Sequence, residues 1–444
     1  MKISLDWLND YIDTNKISPE ELTTEFTMRS AEVESSCRIN KHFSMITTSK
    51  IIDIKPHPNA DKLNIVDVDD GNKIHTVVCG APNIKKGQIV PLASVGTVLP
   101  GDFEIKPVKI RGIESSGMLC SKKELGIGED HEGIFILEEK TPPGKSFSEL
   151  YKNSDFIFEI ENKAITHRPD MWGHYGVARE IRAIYDLEWK KKLKVEKIIP
   201  EKKEESFSIE LKSPSALRYY GIKMSRIKIK PSPSWLSQRL KNIGIKPVNN
   251  IVDISNYVML ETGHPTHAFD RRKITGTKIS VRQAEDNISF KTLDDCNRQL
   301  SLEDLVISDE KNILAIAGIM GGENSEVSSD TTEIFIESAV FDGASVRKTS
   351  GRLDLRTESS NRFEKSLPVE NARLALFRFV SLVKEIVPSA FVSSEVASAE
   401  NFEENPYERT IEISPNFIRS VLGVEDKTLS NERISEILTA LEFS

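Results

Sequence analysis

Four groups of residues in this 444-residue chain combine side chains that can do chemistry with the Gly and Pro that expose them. The first comprises His57-Pro58-Asn59-Ala60-Asp61-Lys62-Leu63, Cys79-Gly80-Ala81-Pro82-Asn83 and Gly117-Met118-Leu119-Cys120-Ser121. Polar side chains punctuated by Pro and Gly mark strand ends, where a β-structure presents its binding loops; turn formation alone is the competing reading. The second, Ile165-Thr166-His167-Arg168-Pro169-Asp170, closes on Pro-Asp before a helical pattern and reads as a structural loop. The third runs from Val252-Asp253-Ile254-Ser255-Asn256-Tyr257 to Gly263-His264-Pro265-Thr266-His267-Ala268-Phe269-Asp270. His264 and His267 suggest a metal pair, but Pro265 breaks any regular helix there and no Cys or third His is near, so no metal is expected. The fourth gathers Gly318 to Ser325, Ile336-Glu337-Ser338-Ala339 and Arg356 to Glu364. Gly321-Gly322 after an apolar strand would let a backbone approach a ligand closely. Without a following Gly-Lys-Ser/Thr it is not a phosphate loop. Glu337 follows the strand-like run Ile334-Phe335-Ile336; if alternation turns it inward, it is a carboxylate in a pocket and needs a donor.

The elements that must position these residues change character along the chain. The first 38 residues read as helical, with Ser18-Pro19-Glu20-Glu21 as a capping box carrying Pro at the first helical position. From Ile39 to Leu150, short β-branched runs alternate with Gly, Pro and Asn-Asp punctuation, which predicts a small β-barrel, with a sandwich as the alternative. Helical periodicity returns from Gly176 to Leu187, and Lys190 to Glu205 reads as a charged linker. A long α+β region then ends in an amphipathic helix with Ala372, Leu376, Phe379, Val383 and Ile386 on one stripe. Pro388 to Pro406 reads as a second linker. Thr410 to Ile413 is expected to be a strand, followed by two short helices, the first capped by Ser414 and stopped by Gly423.

Composition narrows the function class. With 60 Lys plus Arg against 68 Asp plus Glu, the net charge is −8, which argues against a wholly electrostatic nucleic-acid binder. Residues 39–150 carry 14 basic and 15 acidic residues, so bulk charge gives RNA binding no support there. One block is different: Ser213 to Lys246 holds eight basic residues and no Asp or Glu, a phosphate-facing surface or a solvated face balanced in space. No apolar run approaches the ~20 residues of a membrane helix. Four separated cysteines with no CxxC imply neither a disulfide scaffold nor a zinc site, and a reducing cytoplasm is expected.

These motifs, in this order and over essentially the whole chain, resemble the β subunit of bacterial phenylalanyl-tRNA synthetase. The resemblance implies a multidomain α+β protein. A tRNA-binding OB-fold β-barrel at 39–150 would be inserted in an N-terminal α+β module formed by 1–38 and 151–190. An α+β editing domain at 206–390 would follow, then the truncated start of a helix-turn-helix-like module at 405–444. It implies a heterotetramer of two α and two β subunits acting on tRNA(Phe). Aminoacylation, with its ATP and Mg2+, would reside on the α subunit, and no cofactor is expected in this chain. The β subunit would hydrolyse mischarged tyrosyl-tRNA, because a hydrophobic pocket rejects an analogue that only adds a hydroxyl by roughly a hundredfold.

Carried over residue by residue, the resemblance places Glu337 where the tyrosine hydroxyl is recognised and His267 near the scissile ester. Thr357 stands beside them as a third catalytic candidate. Lys246, Ser255, Asn256, Gly321 and Ser359 would line the pocket, and His57, Asn59, Asp61, Lys62 and Asn83 would meet tRNA. Three positions depart from the family pattern: Lys246 where Arg is usual, Ser255 for Thr and Ser359 for Ala. Lys246 loses the bidentate fork of Arg, and Ser359 brings a hydroxyl to a wall expected to be apolar. A tRNA-binding or scaffold subunit with an inert editing-like domain is the alternative.

Overall fold

The strand Lys2–Ser4 finds its partner only when the chain returns at Phe156–Ile160, in the antiparallel register Lys2↔Glu159, Ile3↔Phe158, Ser4↔Ile157. Val33–Arg38 lies on the other side of that returning strand. The computed structural model describes residues 1–128, 130–151, 155–402 and 410–443. It divides into two units, Cys37–Phe156 and the pair Met1–Ser36 with Ile157–Ser444. The N-terminal stretch is therefore not all helical. Pro19–Arg29 is helical, with the Ser18 hydroxyl accepting from Glu21 N, but strands flank it.

Cys37–Phe156 is built on a five-stranded antiparallel sheet ordered Gly117–Leu119, Ile89–Ser94, Ile46–His57, Ala60–Asp69, Ile74–Cys79. Its core forms two clusters, one around Phe43, Ile46 and Phe147, the other around Ile51, Val66 and Val77. The strand ladder does not close into the expected barrel. The edge strand Ile74–Cys79 is instead tied to the segment before the opposite edge by Ser116 N donating to Thr76 O (3.0 Å) and Val78 N donating to Ser115 Oγ (3.1 Å). A side-chain hydroxyl thus stands where a closed ladder would need a carbonyl.

The other unit contains two five-stranded sheets. One is ordered Ser208–Leu211, Lys278–Gln283, Leu305–Ser308, Ile313–Ile316, Met320–Gly321. The second has Glu333–Phe341 between His267–Asp270 and Ala216–Ser225. Alternation along Glu333–Phe341 sends Phe335, Ala339 and Phe341 into a core shared with Val281, Val306, Leu314 and Ile316 of the first sheet. Its other face meets the helix Asn371–Ile386: Val340 packs on Ala372, and Ser338 Oγ donates to Ala372 O. Glu337 belongs by parity to the core-facing row. The stretch read as a second linker supplies two edge strands, Phe391–Val392 and Ala397–Glu400, both paired with Ala216–Ser225.

Asn250–Thr262 carries Ser255 and Asn256. Asn249 caps it by accepting from Ile251 N and Val252 N, and Gly263, at φ +78°, ends it. Its last turn buries Glu261 completely, where Tyr11 Oη and the Arg378 guanidinium satisfy the carboxylate. Thr410–Ile413 has no ladder partner among the described residues, so the expected strand does not form; the helices Pro415–Leu422 and Asn431–Ala440 follow. The last part of the stretch read as Pro388–Pro406 and the start of the module expected from 405 lie outside the described residues.

Candidate functional site

The ladder between His267–Asp270 and Glu333–Phe341 puts His267 directly opposite Glu337, and Gly221 faces Glu337 from the other side. Both side chains border a cavity of about 340 Å³. Ser255 and Asn256 reach it from the helix, Gly321 from the first sheet, Thr357 and Ser359 from the start of the helix Glu358–Phe363. Met259, Leu293, Ile316 and Phe363 make the wall largely apolar. Of the expected pocket residues, Lys246 alone is not in the lining.

The electrostatics follow from burial. Glu337 is 7% exposed, no cation among the described residues pairs with it, and burial pushes its carboxyl up to about 8. It is therefore mostly a neutral acid at pH 7. Tyr219, two residues before Gly221, has its hydroxyl fully buried without a hydrogen-bond partner. Burial first, and the Glu337 charge second, hold its pKa well above the usual phenol value. His267 Nε2 is likewise enclosed and unpartnered, and burial pushes the ring down to about 4, so it is a neutral imidazole. The ring sits edge-on to Phe269 at 4.5 Å and rests on Gly321, where an added Cβ would lie 2.8 Å from Cε1 and Nε2.

The pocket hydroxyls are committed elsewhere. Thr357 Oγ1 caps Glu358–Phe363 through Ser360 N and donates to Ile319 O; Ser359 Oγ donates to Gly318 O at 3.1 Å; Ser255 Oγ donates to Thr266 O. The open sides of the glycines are filled as well: Gly318 by Phe341, Phe363 and Val346, Gly321 by His267, Gly322 by Phe290 and Asn324. The run from Gly318 to Gly322 is thus a packing device rather than a cradle for phosphates. His264 is fully buried, edge-on to Phe363 and outside the lining, so the two histidines do not converge. No group of three His, Cys, Asp or Glu able to hold a metal occurs among the described residues. Sequence reasoning missed Tyr219 and Leu293, whose approach depends on sheet register and loop path rather than on local pattern.

Residues 215–388 match the family profile described as "B3/4 domain", and residues 46–146 match the one described as "Putative tRNA binding domain". Across 100% of its length the chain is 39% identical to a phenylalanine–tRNA ligase beta subunit of Desulfotalea psychrophila and 38% identical to one of Clostridium acetobutylicum. Over its full length the chain is a homologue of phenylalanine–tRNA ligase beta subunits. It spans about half the length of those relatives, 53% and 55% respectively. An N-terminal fragment of a phenylalanyl-tRNA synthetase β subunit from Pyrococcus horikoshii is 21% identical, over 65% of this chain and 77% of that one, with a TM-score of 0.29.

Within the segment of this phenylalanine–tRNA ligase beta-subunit homologue that matches the tRNA-binding profile, the five expected contact residues divide. His57 is buried and bonds Ile110 O through Nε2 (3.1 Å) and Asn59 N through Nδ1 (3.0 Å). Asn83 pins Ile134 in both directions, at 2.8 and 2.9 Å. Asn59 donates to Arg111 O. These three hold turns. Asp61 and Lys62 are exposed on the strand Ala60–Asp69. In the basic block, Arg218 is held by Glu370 and Glu400, Lys223 by Glu204, Glu205 and Glu333, and Arg239 by Asp10. Arg226, Lys228, Lys230, Lys241 and Lys246 have no ion pair among the described residues. Both readings of the block thus apply, to different residues. No helix among the described residues is long and apolar enough to cross a membrane.

Proposed function

We propose that this chain serves a cytoplasmic phenylalanyl-tRNA synthetase as β-subunit sequence that binds tRNA(Phe) and hydrolyses tyrosine mischarged onto it. In this reading the α subunit of an α2β2 assembly carries aminoacylation, with ATP and Mg2+. The curled five-stranded sheet of Cys37–Phe156, sealed by Ser115 and Ser116, supports a partly open OB-type barrel as the tRNA-binding part. Residues 1–38 with 151–190, 206–390 and 405–444 serve as N-terminal module, editing domain and helical module.

One observation carries the editing assignment: a carboxyl group that no cation among the described residues pairs, deep in an apolar cavity, directly across a strand pair from a neutral imidazole. The apolar wall takes the amino-acid ring, and Glu337 reads its hydroxyl. As a neutral acid Glu337 both donates and accepts, so its bond to the phenol is worth about 0.5–1.5 kcal/mol rather than the larger value of a charged acceptor. Phenylalanine would leave the acid unpaired in a dry site. A hydroxyl is thus favoured by the unmet need as much as by the bond. With its pKa near 4, His267 is a weak base, and its role is to orient a water through Nε2. That water's oxygen attacks the ester carbonyl and the bond to the ribose oxygen breaks; one proton of the water passes to the ribose oxygen, and the other is released to solvent as the amino-acid carboxyl ionises. Ser255, Thr357 and Ser359 donate to backbone carbonyls, which favours water over an acyl-enzyme. Thr357 and Ser359 then act by fixing the wall, and Asn256 offers its amide to the ester. Lys246 acts outside the cavity, on the tRNA.

Deacylation of tyrosyl- and phenylalanyl-tRNA by Glu337→Ala and His267→Ala tests the assignment. Glu337→Ala should narrow the preference for tyrosine roughly tenfold, and His267→Ala should slow both substrates alike. A well-folded Glu337→Ala protein with an unchanged tyrosine-to-phenylalanine ratio refutes the role of Glu337. Retained tRNA binding without any deacylation by the parent chain would favour the scaffold alternative.

A further inference from the structure

A second cavity, of about 280 Å³, lies in the same unit as the first and shares Glu358 with it. Hydrogen-bond donors converge on it from separate segments: Lys2, Asn162, Asn361 and Arg362. Arg362 is 1% exposed. Its Nε donates to Trp172 O (3.1 Å) and its Nη1 to Glu358 O (3.0 Å) and Oε2 (2.6 Å), but its Nη2 is enclosed with no partner. A permanent cation with a desolvated and unused N–H is costly unless a ligand supplies the acceptor. The Lys2 ammonium, against Gly244, has no ion pair, and the Asn361 side-chain amide makes no hydrogen bond among the described residues. Asn162 spends Oδ1 on the Met1 amine (2.8 Å) and keeps its amide protons. The two carboxylates on the wall are already engaged, Glu358 by Arg362 and Glu159 by the Met1 amine at 4.0 Å. What the cavity offers is chiefly donors, two of them on cationic side chains, with each wall carboxylate paired to a cation, which suits an anion with several oxygens.

We infer that this cavity receives a backbone phosphate of RNA, the 5′-phosphate of the terminal adenosine whose aminoacyl ester lies in the Glu337 cavity. The inference rests on the proposed editing function, which puts an aminoacylated RNA end in the cavity that shares Glu358 with this one. Fixing the phosphate on one side of Glu358 holds the ester in register with His267 on the other, and charge-assisted bonds to arginine suit a phosphate.

The test compares equilibrium binding of adenosine 5′-monophosphate, adenosine and inorganic phosphate to the whole chain, with Lys2→Glu and Asn361→Asp as variants. Both positions are outside the packed core, and each substitution adds a negative charge to the cavity wall. The nucleotide should bind at least tenfold tighter than adenosine and than phosphate; the advantage should fall below twofold in both variants at an unchanged melting midpoint. Equal binding of nucleotide and nucleoside, no nucleotide binding at millimolar concentration, or a preference that survives both substitutions overturns the site. Inorganic phosphate binding as tightly as the nucleotide identifies a free-anion site and overturns the RNA assignment. Tyrosyl-tRNA deacylation measured alongside separates the two readings: a nucleotide preference without deacylation counts against the editing function, and deacylation without that preference counts against the phosphate site alone.

Discussion

Replacing Glu337 by Gln keeps the side chain's shape and removes its proton, which makes the cost of burying this carboxyl measurable. Burial raises the group from its ordinary 4.5 to about 8. Between those values the folded chain holds a proton that the unfolded chain releases, so stability falls as pH rises through the window and levels off above it. At 1.4 kcal/mol per unit, the penalty relative to a side chain that never ionises is about 2 kcal/mol at pH 6, about 3 at pH 7 and about 5 at pH 9. The exchange of acid for amide adds a constant offset. The slope is free of it: the stability of Glu337→Gln minus that of the parent should grow by about 3 kcal/mol from pH 6 to 9. Guanidinium unfolding followed by tryptophan fluorescence is suited to this, because Trp7, Trp172, Trp189 and Trp235 all lie in the unit that contains Glu337. Other groups titrating in that range are common to both proteins and cancel in the difference. His267 titrates near 4, below the window. Parallel stability curves for the two proteins would show that Glu337 is ionised in the fold at neutral pH, and the neutral-acid reading of the pocket would fail.

Gly321→Ala puts a Cβ 2.8 Å from the His267 ring and should displace it, lowering tyrosyl-tRNA deacylation at least tenfold while costing about 1–3 kcal/mol in a denaturant titration. Arg378→Ala strands the fully buried Glu261 with Tyr11 alone and should destabilise the same unit by about 3–5 kcal/mol; the double change Glu261→Gln, Arg378→Met should recover part of that loss in the same fluorescence assay. Asn83→Ala leaves Ile134 N and O without their partner and should cost Cys37–Phe156 about 1–3 kcal/mol. That unit has no tryptophan, so circular dichroism is the probe, and a loss of tRNA affinity with no shift in its melting transition would instead make Asn83 a direct RNA contact.

Elements defined by neighbours in sequence could be read without a structure. The Ser18 cap, the Gly423 stop and the stripe from Ala372 to Ile386 all rest on spacings of three or four residues, and the stripe is buried as its period requires. Glu337 was legible as an inward carboxylate, because alternation after Ile334-Phe335-Ile336 needs no distant partner. Strands that depend on pairing across the chain were not. Nothing near Lys2–Ser4 or Val33–Arg38 announces Phe156–Ile160, and Thr410–Ile413 has strand-forming residues but no ladder among the described residues. In the cavity, residue types were visible and hydroxyl commitments were not. Thr357 and Ser360 stand at capping-box spacing, a signal that could have assigned the Thr357 hydroxyl to the helix end. The glycines at 321 and 322 look like room for a ligand until His267 and Phe290 occupy the space. The charge state of Glu337 depends on the absence of a cation at a site assembled from several distant segments, which no local pattern encodes.

The three-stranded sheet that unites Lys2–Ser4, Phe156–Ile160 and Val33–Arg38 sets an order on biosynthesis. Its central strand is the last of the three to be made, after about 120 intervening residues. At roughly 5–20 residues per second, the two edge strands wait about 6–24 s for the strand between them. During that interval Ile3, Trp7, Leu8 and Phe26, each with no exposed surface in the finished fold, have no core to enter and are candidates for chaperone capture. The inserted residues can meanwhile complete their own sheet, and when they do, Ile39 N reaches Asp155 O at 2.8 Å. That bond brings the two ends of the insertion together, so the entropy of closing a long loop is met by the insertion's own folding rather than by the sheet that needs it. Destabilising Cys37–Phe156 should therefore delay burial of Trp7 in the nascent chain, a defect of timing in residues far along the sequence from the change.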